Sequence, residues 1–295
     1  MLIDALLGEP KWLWDRMPHP AVLMGRAVDW CDRTLNEGRH LRERGILAVA
    51  LLVIGAILLG LVLMAIPGRI VEIVALAVLL AQRSLSDHVR AVARALRANL
   101  NAGRRAVADI VGRDTGGMDG HDVARAAIES AAENLSDGVI APLFWFLIGG
   151  LPGLLVYKIV NTADSMIGYR TPRHERFGWA AARLDDLLNW IPARLTAGLV
   201  MLVTFRFDIF DDVIEEAPQH RSPNAGWPEA AFAHALNFAL AGPRSYDGAR
   251  VDYPFVNEDG VRELAPEHVD EAVFLMWRVW AVPFVLAALA GWLLA

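Results

Sequence analysis

Cysteine occurs once in 295 residues, at Cys31. A single thiol excludes an intrachain disulfide and any cysteine-based zinc cage. Lysine is almost as scarce: Lys11 and Lys158 are the two lysines among 28 basic residues, and the rest are arginine. That excess fits codon bias, and it makes a lysine inside the apolar run LLVYKIVN harder to dismiss as drift. The formal net charge is −6. With no basic stripe interleaved with aromatics, nothing argues for a nucleic-acid partner. No Walker loop, dinucleotide fingerprint, serine elbow or His-Glu-x-x-His occurs, so any nucleotide site is of a non-standard kind. The opening MLIDALLGEP has no basic n-region and no cleavage site, and Asp4 breaks its apolar run, so it does not read as a secretory signal. Internal repeats and low-complexity tracts are also missing.

What the chain has instead is apolar length. Hydrophobic residues make up 55% and mean hydropathy is +0.34, above the usual soluble range of about 45–50% apolar. The run from Ile46 to Gly68 carries no charge, and about 20 apolar residues suffice to cross a bilayer. IVEIVALAVLLAQ after Pro67 completes an expected helical hairpin over 45–82. A third span is expected over 274–295, where Arg278 lies near enough the end to snorkel and three tryptophans suit the interfaces. Residues 190–206 supply a shorter fourth. The pattern predicts an all-α, polytopic helical membrane protein with four to five apolar segments, amphipathic helices and long polar loops. It reads as a single membrane-embedded domain over 1–295. Residues 84–138 read as cytoplasmic helices, because Leu85, Val89, Val92, Ala93 and Leu96 recur at helical spacing with arginines on another face. Asp122 is a candidate cap for the helix that follows. Residues 139–206 form a core with a broken apolar segment, and 207–270 a polar loop region.

Chemistry concentrates between Ala127 and Arg194. Glu129, Glu133 and Asp137 stand at i, i+4 and i+8, within roughly 80° of one helix face, with Ser130 and Asn134 alongside. Like charges at this spacing repel. A bound cation would offset the repulsion, and Mg²⁺ typically takes one or two carboxylates plus substrate phosphates; a solvated acidic face is the plainer alternative. The next segment, APLFWFLIGGLPGLLVYKIV, is interrupted by Gly149, Gly150, Pro152 and Gly153. It is either one kinked span or a re-entrant pair of half-helices, and the second form requires burial in protein. Lys158, Asn161 and Asp164 lie on its far half. Arg170, Arg173, Arg176 and Arg183, next to Tyr169 and His174, form a cationic cluster suited to phosphate or carboxylate. Positive-inside signalling is the alternative reading. Asp185, Asp186 and Asn189 place three oxygen-bearing side chains on about one helical turn, a candidate Mg²⁺–phosphate bracket. Arg194 follows, and HRSPNAGWPEA adds Arg221, Asn224 and Trp227.

These stretches resemble the adenosylcobinamide-phosphate synthase family, integral membrane proteins of cobalamin biosynthesis. The resemblance runs in order through DALLGEP, HPAVLMGR, VGRDT, AIESAAENLSDGVIAPLFW, GGLPGLLVYKIVNTADSMIGYRTPRHERFG, ARLDDLLNWIPARLTA and HRSPNAGWPEA, nearly the whole chain. It implies ATP-dependent amide ligation of the free carboxyl of adenosylcobyric acid with (R)-1-amino-2-propanol O-phosphate, with ATP and Mg²⁺ consumed or used but neither permanently bound. For that chemistry the metal and base candidates are Glu129, Glu133, Asp137, Asp164, Asp185 and Asp186. Lys158, Arg170, Arg173, Arg176, Arg183, Arg194 and Arg221 are the phosphate candidates. Asn134, Asn161, Tyr169, Asn189, Asn224 and Trp227 are further substrate-binding candidates, and His19 or His174 is a possible base. The implied partners are the corrinoid, the aminopropanol phosphate, membrane lipid and other membrane enzymes of cobalamin assembly.

Two other classes remain in view: an intramembrane prenyltransferase using Asp185-Asp186-x-x-Asn189, and a non-catalytic scaffold for cobalamin enzymes. Arginine density places 1–44 and 83–138 in the cytoplasm, giving a multi-pass inner-membrane protein with a cytoplasmic site. A single crossing by 139–160 would put the arginine cluster on the opposite side.

Overall fold

Backbone in hydrocarbon must satisfy its own N–H and C=O groups, so charge-free apolar sequence becomes helix. The computed structural model describes residues 1–246 and 249–293 and is 74% helical. Its helices are α1 Leu2–Leu7, α2 Lys11–Trp14, α3 Pro20–Leu35, α4 Leu41–Met64, α5 Ile70–Leu79, α6 Gln82–Ala98, α7 Leu100–Ala108 and α8 Gly120–Leu135. After a π-helical turn at Ser136–Ile140 come α9 Ala141–Ile167, α10 Trp179–Thr204, α11 Phe210–Glu216, α12 Gly226–Leu236 and α13 Pro266–Leu293. Four stretches are long and apolar enough to cross a membrane: Leu41–Met64, the apolar part of Gly120–Ile167, Trp179–Thr204 and Pro266–Leu293. The polytopic all-α expectation therefore holds. The chain divides into two compact units, Met1–Ala81 with Ala141–Trp190, and Gln82–Ile140 with Ile191–Ala295.

In the first unit α4 is apolar on all sides. Leu51, Ile54 and Leu58 project outward and are about half exposed, which a water-facing helix does not tolerate and lipid does. The expected hairpin over 45–82 is corrected here. α5 is ten residues, about 15 Å of helix against a core of about 30 Å, so it does not span. It packs Leu76 and Leu79 on Leu151, Leu154 and Leu155 instead.

The broken segment takes the re-entrant form. Gly150 sits at φ 57°, ψ −147° inside α9, a conformation essentially reserved for glycine. A Cβ on Gly153 would lie 2.3 Å from the Trp145 carbonyl oxygen. Eight residues of straight helix would separate those positions by about 12 Å, so the chain turns back. Trp145 and Tyr157, on opposite limbs, both reach α10: Trp145 Nε1 donates to the Leu188 carbonyl at 3.0 Å and the Tyr157 hydroxyl to Asn189 Oδ1 at 2.9 Å.

The second unit packs α6, α8 and α13 together. α6 buries Leu85, Val89, Val92 and Ala93, the stripe expected from spacing. Asp119 caps α8, with Asp122 reaching back to the Asp119 N–H at 3.2 Å to complete a capping box; Asp122 thus sits at the third helical position, not at the cap. α13 begins eight residues before the expected 274, and Leu294 and Ala295 lie outside the described residues. Arg278 does not snorkel: its guanidinium donates to the Val203 carbonyl at the end of α10. Trp280 packs inward and stacks on Phe284, while Trp292 faces out. Residues 207–270 hold more structure than a polar loop, including α11, α12 and short antiparallel pairings of Leu240–Ala241 with Phe255–Val256 and of Arg244–Tyr246 with Ala249–Val251.

Candidate functional site

Three side-chain assemblies carry the expected residues, two in the first unit and one in the second. The first lies between the returning limb of α9 and α10. Asp185, buried, accepts from Asn161 Nδ2 at 3.3 Å and from Asn189 Nδ2 at 2.9 Å, and Asn189 in turn accepts from Tyr157. Asp164 is close enough to act on Asp185 electrostatically. Helical spacing explains the gathering. Tyr157, Asn161 and Asp164 follow one another at i+4 and i+3 on α9, and Asp185 and Asn189 at i+4 on α10. Gly168 is required beside them, since a Cβ there would lie 2.0 Å from Asp164 Oδ1. Among the described residues no three His, Cys, Asp or Glu side chains converge as a metal cage. The donors that do converge are hard oxygens and amides, the set Mg²⁺ accepts when phosphates complete its shell. Lys158 lies one turn before Thr162, whose hydroxyl donates to the Lys158 carbonyl at 2.7 Å. Its ammonium acts electrostatically on His19. His19 Nδ1 accepts from the Ala21 N–H at 3.2 Å and so caps α3; burial first, with Lys158 adding, holds its pKa below the ordinary value.

The second assembly is a cavity of about 860 Å³ lined by Arg39, Arg42, Arg170, Arg176, Arg183, Glu43, Glu175, Trp179 and Asp186 among others. Asp186 accepts from Arg183 at 3.1 Å, so the neighbours Asp185 and Asp186 face different surroundings. Arg173 does not line the cavity. It is bound to Asp32 at 2.7 Å, with His174 Nε2 3.3 Å from the same carboxylate. Burial alone would raise the Asp32 pKa, but hydrogen bonds from Arg173 and Asn36 hold it below the usual range. Arg173 and His174 therefore tie the loop to α3. Tyr169 is exposed on that loop.

The third assembly, in the second unit, is ionic and buried. Glu129 accepts from the Ala241 N–H at 2.8 Å through one oxygen, while the other receives Arg113 and Arg244, the latter at 3.2 Å. Arg244 stands equally 3.2 Å from Glu229, and His220 Nε2 lies 3.7 Å from Glu229. One guanidinium is thus shared by two carboxylates. Burial, then Glu129, push the Glu229 pKa up to about 8 despite Arg244. Burial, then Arg244, push His220 down to about 4. Glu133 is exposed at the edge of this group, with Arg244, Arg221 and Arg113 as its electrostatic neighbours. The π turn breaks the α register after Leu135, so Asp137 does not continue the stripe as regular spacing predicts; such turns recur at functional sites. Asn134 is engaged locally, donating to the Ser130 carbonyl at 2.9 Å. Arg194, Asn224 and Trp227 come together: Arg194 donates to Asn224 at 3.3 Å and lies 4.5 Å over the Trp227 ring.

Arg113, Arg244, Glu229 and His220 in the third assembly, and Arg39, Arg42 and Trp179 in the cavity, were not singled out from sequence. Arg113, His220 and Glu229 lie inside stretches quoted for the resemblance, VGRDT and HRSPNAGWPEA, and Glu229 is a lone charge in the Ala-rich GWPEAAFAHAL. Nothing in the sequence marks Arg244.

Fold and site together define a polytopic helical membrane protein in which carboxylates and arginines gather on its helices and the loops between them. Comparison with known proteins makes this particular: the description "CobD/Cbib protein" matches residues 1–276, and the chain belongs to that family. It is 48% identical to "Cobalamin biosynthesis protein CobD" of Brucella suis biovar 1 (strain 1330), over 94% of this chain and 90% of that one. The protein of that name from Rhizobium meliloti (strain 1021) is also 48% identical, over 98% and 94%. That from Rhodobacter capsulatus is 46% identical, over 86% and 84%. No solved structure matches the chain. Membership in the family supports a role in cobalamin biosynthesis.

Proposed function

We propose that the chain is an ATP-dependent amide ligase of the inner membrane that joins the free carboxyl of adenosylcobyric acid to (R)-1-amino-2-propanol O-phosphate, giving adenosylcobinamide phosphate. The observation that carries this reading is the Asp164–Asp185–Asn161–Asn189 group, in which Asp185 and Asn189 are buried, with Asp186 of the adjoining position facing an arginine-lined cavity. A carboxylate is a poor electrophile, so ligation proceeds most simply through an acyl phosphate: the carboxylate oxygen takes the terminal phosphoryl of ATP, ADP leaves, the amine attacks the carbonyl, and phosphate departs with a proton released. Mg²⁺, when bound, offsets charge on the phosphoryl oxygens. Asp185, oriented by two amides, and Asp164 would hold it. Lys158 and the cavity arginines of the same unit would bind phosphate oxygens, and Asp164 is a base candidate for the amine. Trp227, with its face against Arg194, suits a flat corrinoid edge.

The test is amide formation with purified protein and the three substrates, followed by ADP release and product mass. Substrate-dependent ADP and the amide are expected in equal amounts. A protein that binds the corrinoid but forms neither refutes the ligase reading in favour of a scaffold. Labelling residue 175 with a membrane-impermeant reagent tests the cytoplasmic placement.

A further inference from the structure

Two stretches far apart in the chain line the cavity of the first unit with five arginines. Arg39 and Arg42 come from the turn into α4, Arg170 and Arg176 from the loop after α9, and Arg183 from the start of α10. Three carboxylates face the same space, Glu43, Glu175 and Asp186, which leaves an excess of two positive charges. Of the five guanidiniums, Arg183 has a carboxylate partner, Asp186 at 3.1 Å. Among the described residues Arg39, Arg42, Arg170 and Arg176 have none within ion-pair distance, in contrast to Arg173, which Asp32 holds. Unpaired guanidiniums repel one another, so gathering four of them around one cavity favours an anionic ligand.

Geometry narrows the anion. The Arg42 guanidinium carbon lies over the Trp179 ring, 3.7 Å from its centroid. A ring contact uses none of the guanidinium N–H donors as an ion pair would, and their planar fork matches phosphate oxygens two at a time. One fork satisfies a carboxylate; several arginines around one volume suit the greater number of oxygens on a phosphate. The cavity also falls within the range of about 300–1,000 Å³ usual for small-molecule sites. We propose that this cavity is a phosphate-binding site in which Arg39 and Arg42 complete a cradle begun by Arg170, Arg176 and Arg183.

Its level in the molecule allows two sources of that phosphate. Ile46 and Leu47 stand one helical turn beyond Arg42 and Glu43, and Leu187 and Trp190 one turn beyond Arg183 and Asp186, and all four are exposed apolar side chains. The cavity therefore stands where lipid-facing surface begins, at the depth of phospholipid headgroups, and basic pockets at that depth bind anionic ones. A soluble substrate phosphate offers the same chemistry, and that second source rests on the ligase reading.

The experiment measures binding, not turnover, on the full-length protein in nanodiscs. Discs of phosphatidylcholine alone receive MgATP or aminopropanol phosphate as probes. Discs containing phosphatidylglycerol are scored for the phosphatidylglycerol that stays bound through detergent exchange. The Arg39→Gln/Arg42→Gln double variant is expected to weaken at least one of these by about tenfold or more. Arg42→Lys, which keeps the charge and loses the fork, should lie between. Both arginines are exposed, and Arg33→Gln, an exposed arginine outside the cavity, serves as the control variant whose binding should match the parent. Loss confined to the soluble probes assigns the phosphate to substrate, and loss confined to phosphatidylglycerol assigns it to lipid. Normal binding of all probes in the double variant overturns the proposal, as does a parent protein that binds none of them. An enzyme that forms amide while its phosphate binding ignores these substitutions refutes the cavity assignment alone. Weakened binding in a protein that forms no amide refutes the ligase reading alone.

Discussion

Glu129→Gln isolates the charge of one buried carboxylate while keeping its shape. Glu129 is 5% exposed, and the glutamine carbonyl can still accept the Ala241 N–H, now 2.8 Å away. What disappears is the negative charge that compensates Arg113 and Arg244, whose side chains are 9% and 11% exposed. Removing one partner of a buried ion pair costs about 3–5 kcal/mol, because the other charge is left stranded. Arg244 keeps Glu229 as a second partner, which ionises more readily once the Glu129 charge that raises its pKa is gone, so the lower end, about 3 kcal/mol, is expected. Arg113→Gln alone should cost less, since Glu129 retains Arg244. In the double variant the stranded Arg113 is gone, and the two effects should fall short of adding by about 1–3 kcal/mol. Denaturant midpoints in detergent micelles, read by tryptophan fluorescence, measure all three. A Glu129→Gln protein within about 0.5 kcal/mol of its parent, the range of ordinary surface changes, would refute the ionic reading, as would strict additivity.

Glu229 has a pKa pushed up to about 8 from an ordinary 4.5, so its contribution to stability is complete below pH 4.5 and lost as pH rises through 8. Glu229→Gln should therefore gain on the parent between pH 6 and pH 9 in unfolding midpoints, and a parent that gains instead refutes the assignment. His220, pushed down to about 4 from 6.5, contributes stability that is complete above 6.5 and lost as pH falls toward 4, so His220→Asn should flatten the acid limb of the same profile. Gly150→Ala forces a side chain into φ 57°, ψ −147° and should cost about 1–3 kcal/mol. Gly149→Ala, with open space at its Cβ, is the control, and equal midpoints would count against the re-entrant turn. In the ligase assay Lys158→Arg should raise the KM of one phosphate-bearing substrate by about tenfold. Arg173→Lys, with its partner Asp32 half-buried and away from the cavity, should stay within about twofold on kinetic constants, as a peripheral ion pair would; the opposite ranking would place the phosphate at Arg173.

Spans were legible because composition decides them. The run from Ile46 to Gly68 has no alternative to helix in lipid, and α6 and its buried stripe follow from spacing. α5 was overestimated because apolar content reads the same in a span and in a short helix packed on a re-entrant turn. The glycines and proline at 149–153 mark a break but not its direction. That direction is set by the conformation of Gly150 and by the packing of Trp145 and Tyr157 on α10. Asp185 and Asn189 were visible as a bracket four residues apart. Their partners Asn161 and Tyr157 were visible only as polar residues on an apolar helix.

Sequence alone determined the membrane class, the family and the helices on which the chemistry stands, since hydropathy, periodicity and ordered motifs are local properties of the chain. Tertiary structure decided which charges meet. Arg113 and Glu129 are close in sequence, but Arg244 reaches both Glu129 and Glu229 from a short strand with no motif. Arg173 looks equivalent to Arg170 and Arg176 until α3 presents Asp32 to it, and Arg39 and Arg42 join the cavity from a turn far upstream. An ion pair or a cavity wall is fixed by where folding brings distant side chains, and Coulomb attraction over a few ångströms leaves no periodic trace in the order of residues.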